Sequence, residues 1–168
     1  MSNKKYIVTM LTAISIGGVA FTASYEGFSS KPYLDSGKVA TIGYGSTVHP
    51  NGAKVKMTDT PLSKKQGMDY LQIHMTKDAQ RFNKTLLNVP LSQAEYDLYM
   101  DFTYQFGTGA WSSSSMLRNL KAGQHVQACK SLLKWKYVAK RDCSVRSNGC
   151  YGVWTRQQAR YDKCMGGN

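Results

Sequence analysis

The chain has 168 residues, 42% apolar and 11% aromatic, which excludes a disordered tail and fits one domain of ordinary size or two small lobes sharing a helix. A chain of this length buries roughly two-thirds of the surface that its unfolded form exposes. Its 22 Lys and Arg against 10 Asp and Glu give a net charge of +12, so the expected partners are polyanions: nucleic acid, anionic lipid, or an acidic polymer such as bacterial cell wall.

Lys4 and Lys5 precede an uncharged stretch from Tyr6 to Ser24 that sets Ile7, Val8, Met10, Leu11, Ile14, Ile16, Val19 and Phe21 among Gly, Ala, Ser and Thr. Nineteen helical residues just reach across a hydrocarbon core of about 30 Å. The two lysines leave the N-terminus in the cytoplasm and send the rest outward. A stretch this weakly apolar is able to span a membrane without being held there firmly. Three readings stand open: a signal peptide cleaved near Ala20 or Ala23, a permanent anchor, and a core helix.

Directly afterwards comes Glu26-Gly-Phe-Ser-Ser-Lys-Pro-Tyr-Leu-Asp35-Ser-Gly-Lys-Val-Ala-Thr41-Ile-Gly-Tyr-Gly45. Asp35 to Lys38 predicts a tight turn between two short strands, with Gly37 supplying a positive φ. The stretch from Val39 to Tyr44 is rich in strand formers, and Gly43 and Gly45 admit the close approach of another chain. Glu26 then sits just past a helix end, Asp35 at a turn and Thr41 on a strand, three oxygen-bearing side chains able to converge on one cleft. Singly, each has a plainer reading: a solvated loop carboxylate, a turn former, a β-branched strand residue.

Ser63-Lys-Lys-Gln66 predicts a capping box opening a long helix over about 63–87, with Met68, Leu71, Met75, Ala79, Phe82 and Leu86 at helical period. Ser92 and Glu95 form a second capping box. Cys129, Cys143, Cys150 and Cys164 lie in the last quarter, an even set that predicts two disulfides made outside the cytoplasm, with three pairings open. Inert buried thiols are the alternative, and the set lacks the short spacings of a zinc site. His49, His74 and His125 are scattered, so neither a metal nor another cofactor is expected.

Glu26, eight residues, Asp35, five residues, Thr41, then Ile-Gly-Tyr-Gly resembles the catalytic stretch of the phage-type lysozymes, glycoside hydrolase family 24. The likeness continues through the long helix, Val89 to Gln93, Phe102 to Gly107, Ser115-Met116-Leu117, and Ala128 to Trp135, which resembles the family's Ala-rich helix ending in Trp. It covers about residues 25–164. Two departures stand out. Ser46 follows Gly-x-Gly where many relatives have His. The family's C-terminal Gly-Leu-x-x-Arg-Arg-x-x-Glu becomes Gly152-Val-Trp-Thr-Arg156-Gln157-Gln-Ala-Arg160, with only Gly152 and Arg156 matching.

The resemblance implies an α+β, mainly helical lysozyme fold: a small N-terminal β-hairpin lobe (about 25–62), a linking helix (about 63–87) and a helical lobe (about 88–168). It implies Glu26 as general acid, Asp35 as the ionised carboxylate and Thr41 as the holder of the attacking water in an inverting hydrolysis. Tyr33, Tyr44 and Gln105 are weaker candidates for sugar contacts. The expected activity is a muramidase cleaving peptidoglycan glycan strands in host lysis, acting as a monomer. The competing readings are a basic wall- or lipid-binding module without turnover, and nucleic-acid binding. The second is opposed by basic residues spread along the chain with no recognition helix.

Cleavage after Ala20 or Ala23 removes the short helix that precedes the catalytic acid in this family, so retention is favoured. The whole resembles the signal-arrest-release endolysins. Residues 1–24 then form a transient inner-membrane segment (residues 6–24 in lipid, N-terminus in, C-terminus out). The domain 25–168 reaches the periplasm on release. No cysteine precedes position 129, so topology rather than thiol chemistry restrains the enzyme.

Overall fold

The computed structural model describes residues 13–166, so residues 6–12 of the apolar stretch lie outside the described residues. The architecture is mainly helical with a small antiparallel hairpin towards the N-terminus, as expected, and a second hairpin at 137–142 that sequence reasoning did not foresee. The described chain divides into two bodies, 13–80 and 81–166.

In the first body, Ser15 caps helix α1 (Ile16–Tyr25) by accepting the Gly18 N–H at 3.0 Å. Gly18, Val19, Thr22 and Ala23 are buried at helical spacing, while Ile16 stays 79% exposed. No helix among the described residues is long and apolar enough to cross a membrane. Glu26 ends α1 in an extended conformation, its N–H bonded to the Thr22 carbonyl at 3.3 Å.

Strands β1 (Ser29–Leu34) and β2 (Ala40–Gly43) pair antiparallel, Ser29 opposite Gly43 and Tyr33 opposite Thr41. Four steps along β1 thus match two along β2, and Pro32, which has no N–H to give a ladder, falls inside that bulge. The turn differs from expectation, because the left-handed residue is Lys38 (φ 60°) and not Gly37. Asp35 explains the difference. Its Oδ1 accepts the Gly37 and Val39 N–H groups, and Asp35 N–H donates to Val39 O. This closes a three-residue loop whose last position takes the positive φ.

Helix α2 (Lys64–Thr85) opens with the expected capping box: Gln66 N–H donates to Ser63 Oγ at 3.2 Å, and Gln66 Oε1 accepts the Ser63 N–H at 2.8 Å. Of its predicted stripe, Leu71, Met75, Ala79 and Phe82 are at most 1% exposed. Ile42, Val55 and Leu62 form a small core over which Ala40 and Tyr70 pack.

The second body contains α3 (Gln93–Phe106), α4 (Thr108–Ser112), α5 (Ser115–Lys121), α6 (His125–Leu132), the two-residue strands β3 (Tyr137–Val138) and β4 (Arg141–Asp142), and α7 (Tyr151–Gly166). The second capping box, Ser92 with Glu95, starts α3. Rings of Phe82, Tyr96, Tyr99, Phe102 and Trp111 form the core, several pairs about 5 Å apart. Burial pushes the Tyr96 phenol up to about 12, although its OH donates to Asn83. Helix α6 stops at Leu132, three residues short of Trp135. Leu133, Lys134 and Trp135 instead donate to carbonyls three residues back, which tightens the chain out of the helix.

The disulfides pair Cys129 with Cys164, tying α6 to α7, and Cys143 with Cys150. Loop closure then predicts unequal contributions. Replacing the first pair by Ala lowers unfolding free energy by about 4 kcal/mol and the second by about 2.5 kcal/mol. Denaturant titration of the two double variants tests this order.

Candidate active site

Glu26, Asp35 and Thr41 all fall in the first body. The hairpin brings Asp35 and Thr41 together through one atom. The Val39 carbonyl accepts the Asp35 N–H and the Thr41 hydroxyl, each at 3.0 Å. Thr41 is 2% exposed, and its hydroxyl hydrogen is committed to that bond, leaving its oxygen lone pairs as acceptors. Asp35 is half-buried, with Oδ1 saturated by two backbone donors at 2.8 and 2.9 Å. Its Oδ2 takes no hydrogen bond from the described residues.

Glu26, also half-buried, reaches the same hairpin from its open end. Two residues, Gly27 and Phe28, separate it from Ser29, which pairs with Gly43. The anchor there is Phe28, whose ring lies 5.1 Å from that of Tyr44. Both rings rest over Gly67 of α2, where an added Cβ would stand 2.8 Å from the Phe28 ring edge and 3.3 Å from Tyr44. Gly43 approaches the same spot, its own would-be Cβ 3.5 Å from the Gly67 Cα. The expected close approach therefore occurs at Gly43. At Gly45 the surroundings are open, and only its φ of +89° calls for glycine.

Of the weaker candidates, Tyr33 is 38% exposed and stands opposite Thr41, whereas Tyr44 packs on Phe28. Gln105 belongs to the second body, where its Oε1 accepts a hydrogen bond from Arg160 at 2.8 Å.

Sequence reasoning missed the fastening of the 46–62 loop. His49 Nε2 donates to Asp59 Oδ2 at 2.8 Å, because a carboxylate can only accept, and Nδ1 meets the Tyr70 hydroxyl of α2 at 3.0 Å. The Lys56 N–H and the imidazole together hold the Asp59 carboxyl below its usual range. His74 and Lys77, also on α2, donate to the Val48 and Pro50 carbonyls. Ser46 itself exchanges backbone bonds with Ile42. The only local hint was a histidine displaced three positions from the one that the family pattern leads one to seek.

Residues 23–160 match the phage lysozyme family. The chain belongs to that family. Among its relatives, the SAR-endolysin of Escherichia phage 933W is 30% identical over 148 residues, covering 87% of this phage lysozyme and 82% of that protein. The endolysin of Bacillus phage B103 is 32% identical over 127 residues, 73% of this chain but 45% of its own length, so the chain spans less than half of that relative. The solved structure of an endolysin from Escherichia coli O157:H7 phage FAHEc1 superposes with a TM-score of 0.76 at 27% identity, covering 92% of this chain and 94% of that one.

Gly67→Ala tests the anchor. Alanine gains roughly 1 kcal/mol of helix propensity, but forcing the Phe28 ring aside costs about 1–3 kcal/mol. The expected net result is a lower unfolding midpoint, and a raised midpoint shows that the ring yields freely.

Proposed function

We propose that this phage lysozyme is an endolysin, a muramidase that hydrolyses β-1,4 bonds between N-acetylmuramic acid and N-acetylglucosamine and so lyses the host at phage release. Family membership supports the class of chemistry, and one observation carries the residue assignment: the Val39 carbonyl that fixes Asp35 and Thr41 together. In this reading Glu26 gives its proton to the glycosidic oxygen while positive charge develops at the anomeric carbon. A water molecule donates one hydrogen to Thr41 Oγ1, whose own hydrogen is already committed, and the other to Asp35 Oδ2, the oxygen left open by the turn. With both hydrogens held, its lone pair faces the sugar, and Asp35 removes a proton as the new bond forms. Attack opposite the leaving group inverts the anomeric configuration. Tyr33, Tyr44 and Gln105 serve as secondary sugar contacts, and the enzyme works as a monomer on the glycan strand.

Glu26→Gln is the direct test. The rate of clearing permeabilised cells falls by roughly 10²–10⁴-fold, the usual worth of a general acid, with an unchanged melting midpoint. Equal clearing by the variant sinks the assignment of Glu26 as the acid, whereas binding of walls without clearing by either chain leaves a basic wall-binding module without turnover. Resonances of the first-formed sugar anomer distinguish inversion from retention.

The reading extends to residues 1–24 as a retained, releasable membrane segment and 25–168 as the catalytic domain, held first at the inner membrane and then freed into the periplasm. The names of SAR-endolysin relatives support it. So does the burial of Ile14, Val19, Thr22 and Ala23 within the folded protein, since side chains cannot occupy lipid and protein interior together. Gly17 is exposed on α1, so Gly17→Leu adds apolar surface to the span outside the buried face. Lysis after induction is then delayed while the purified chain clears walls at the original rate. Unchanged timing counts against a releasable segment.

A further inference from the structure

Between α6 and α7 the chain makes an excursion, residues 134–150, in which Cys143 is the one fully buried residue. Past Trp135, whose ring packs on Phe102 and Phe106, it adds little to the core, yet it is built with unusual firmness. Its two strands are joined through Ala139 and Lys140, consecutive residues at φ 47° and 66°, in a turn that ordinarily takes Asn-Gly. L-residues hold that conformation only where the surroundings over-determine it. Here the Cys143–Cys150 bond closes the loop, and Cys143 N–H donates to Lys136 O at 2.7 Å. Asp142 gathers Lys136 Nζ at 2.8 Å together with the Ser144 N–H and hydroxyl, and its own carbonyl accepts from Asn148. The Lys136 ammonium first, then Ser144, draw the Asp142 carboxyl down to about 2.

With Lys136 paired inward, the excursion presents Lys134, Lys140, Arg141 and Arg146 to solvent, with Asp142 its sole acid. Tyr137 is 57% exposed and Val145 47%. Exposed cations on the same excursion as an exposed phenol and an exposed aliphatic side chain match a lipid headgroup boundary. There Lys and Arg meet phosphates, and Tyr and Val lose contact with water. The hydrated carboxylates of wall peptides offer the apolar groups nothing. Because the loop is already rigid, docking orders little further chain.

We infer that the disulfide-tied excursion 134–150 is a docking element for the surface of an anionic phospholipid bilayer. This goes beyond the hydrolase reading and is separate from residues 6–24. It requires no residue of the proposed catalytic trio, so it persists in Glu26→Gln.

The test is co-sedimentation of the full chain with vesicles containing phosphatidylglycerol, with pure phosphatidylcholine vesicles, and with purified sacculi. Residues 6–24 are common to every variant, so differences between variants report the excursion. The wild type prefers the anionic vesicles, and salt abolishes the preference. Lys140→Gln with Arg141→Gln lowers partition onto them roughly thirtyfold, and Lys134→Gln alone about fivefold. Both variants keep the wild-type unfolding midpoint and wall-clearing rate. Wild-type partition by both variants overturns the inference. So does a loss confined to sacculi, which would make wall carboxylates the occupant.

Discussion

Asp101 is a carboxylate without access to water that holds two guanidiniums, and the helical body is arranged around it. Arg156 donates to it from Nε and Nη2 at 3.2 and 2.7 Å, and Arg160 Nε donates at 2.7 Å. All three residues are at most 4% exposed. Arg160 also donates to the carboxamides of Gln157 and Gln105 and to the Asp101 carbonyl, and it stacks over Phe102 and Phe106. Removing one member of such a set costs about 3–5 kcal/mol, because charge is left buried without its partner. Gln157 in turn donates to the carbonyl of Trp135, whose ring packs on Phe102. The network thus fixes how α7 lies on α3 and on the turn that leaves α6.

The first body relies on a different device. Its hairpin owes its position to glycine and aromatic rings rather than to charge. Gly67 removes one side chain from α2, and Phe28, Tyr44 and the Gly43 backbone occupy the space. The chain between that anchor and Glu26 is two residues long. The geometry of Glu26 is therefore tied to a packing contact, whereas that of Asp35 and Thr41 is tied to hydrogen bonds within a turn.

Local signals were legible. Both capping boxes formed, because their donors and acceptors lie three residues apart. The stripe from Met68 to Leu86 predicted α2, because helical period needs no knowledge of the partner face. The Asp35 turn was visible, but Gly37 drew the positive φ on propensity, while the two hydrogen bonds to Asp35 Oδ1 moved it to Lys38. Trp135 misled in the same way, since a tightening of the chain past Leu132 leaves no mark in composition. Nothing local distinguished Asp101 from the other nine acidic residues. Its role appears only when α7, more than fifty residues away, brings two arginines to it. The pairing of four cysteines, and the meeting of His49 with Asp59 and Tyr70, depend on the same kind of distant contact.

Both sulfur bridges staple residues 129–164, and the body carrying Glu26, Asp35 and Thr41 contains no thiol at all. The two halves therefore mature under different rules. The hairpin half reaches its native form at any redox poise, whereas the helical half stays loosely braced until an oxidising compartment closes its cross-links. A chain held under reducing conditions thereby lacks both staples of its helical half, while its hairpin half has none to lose.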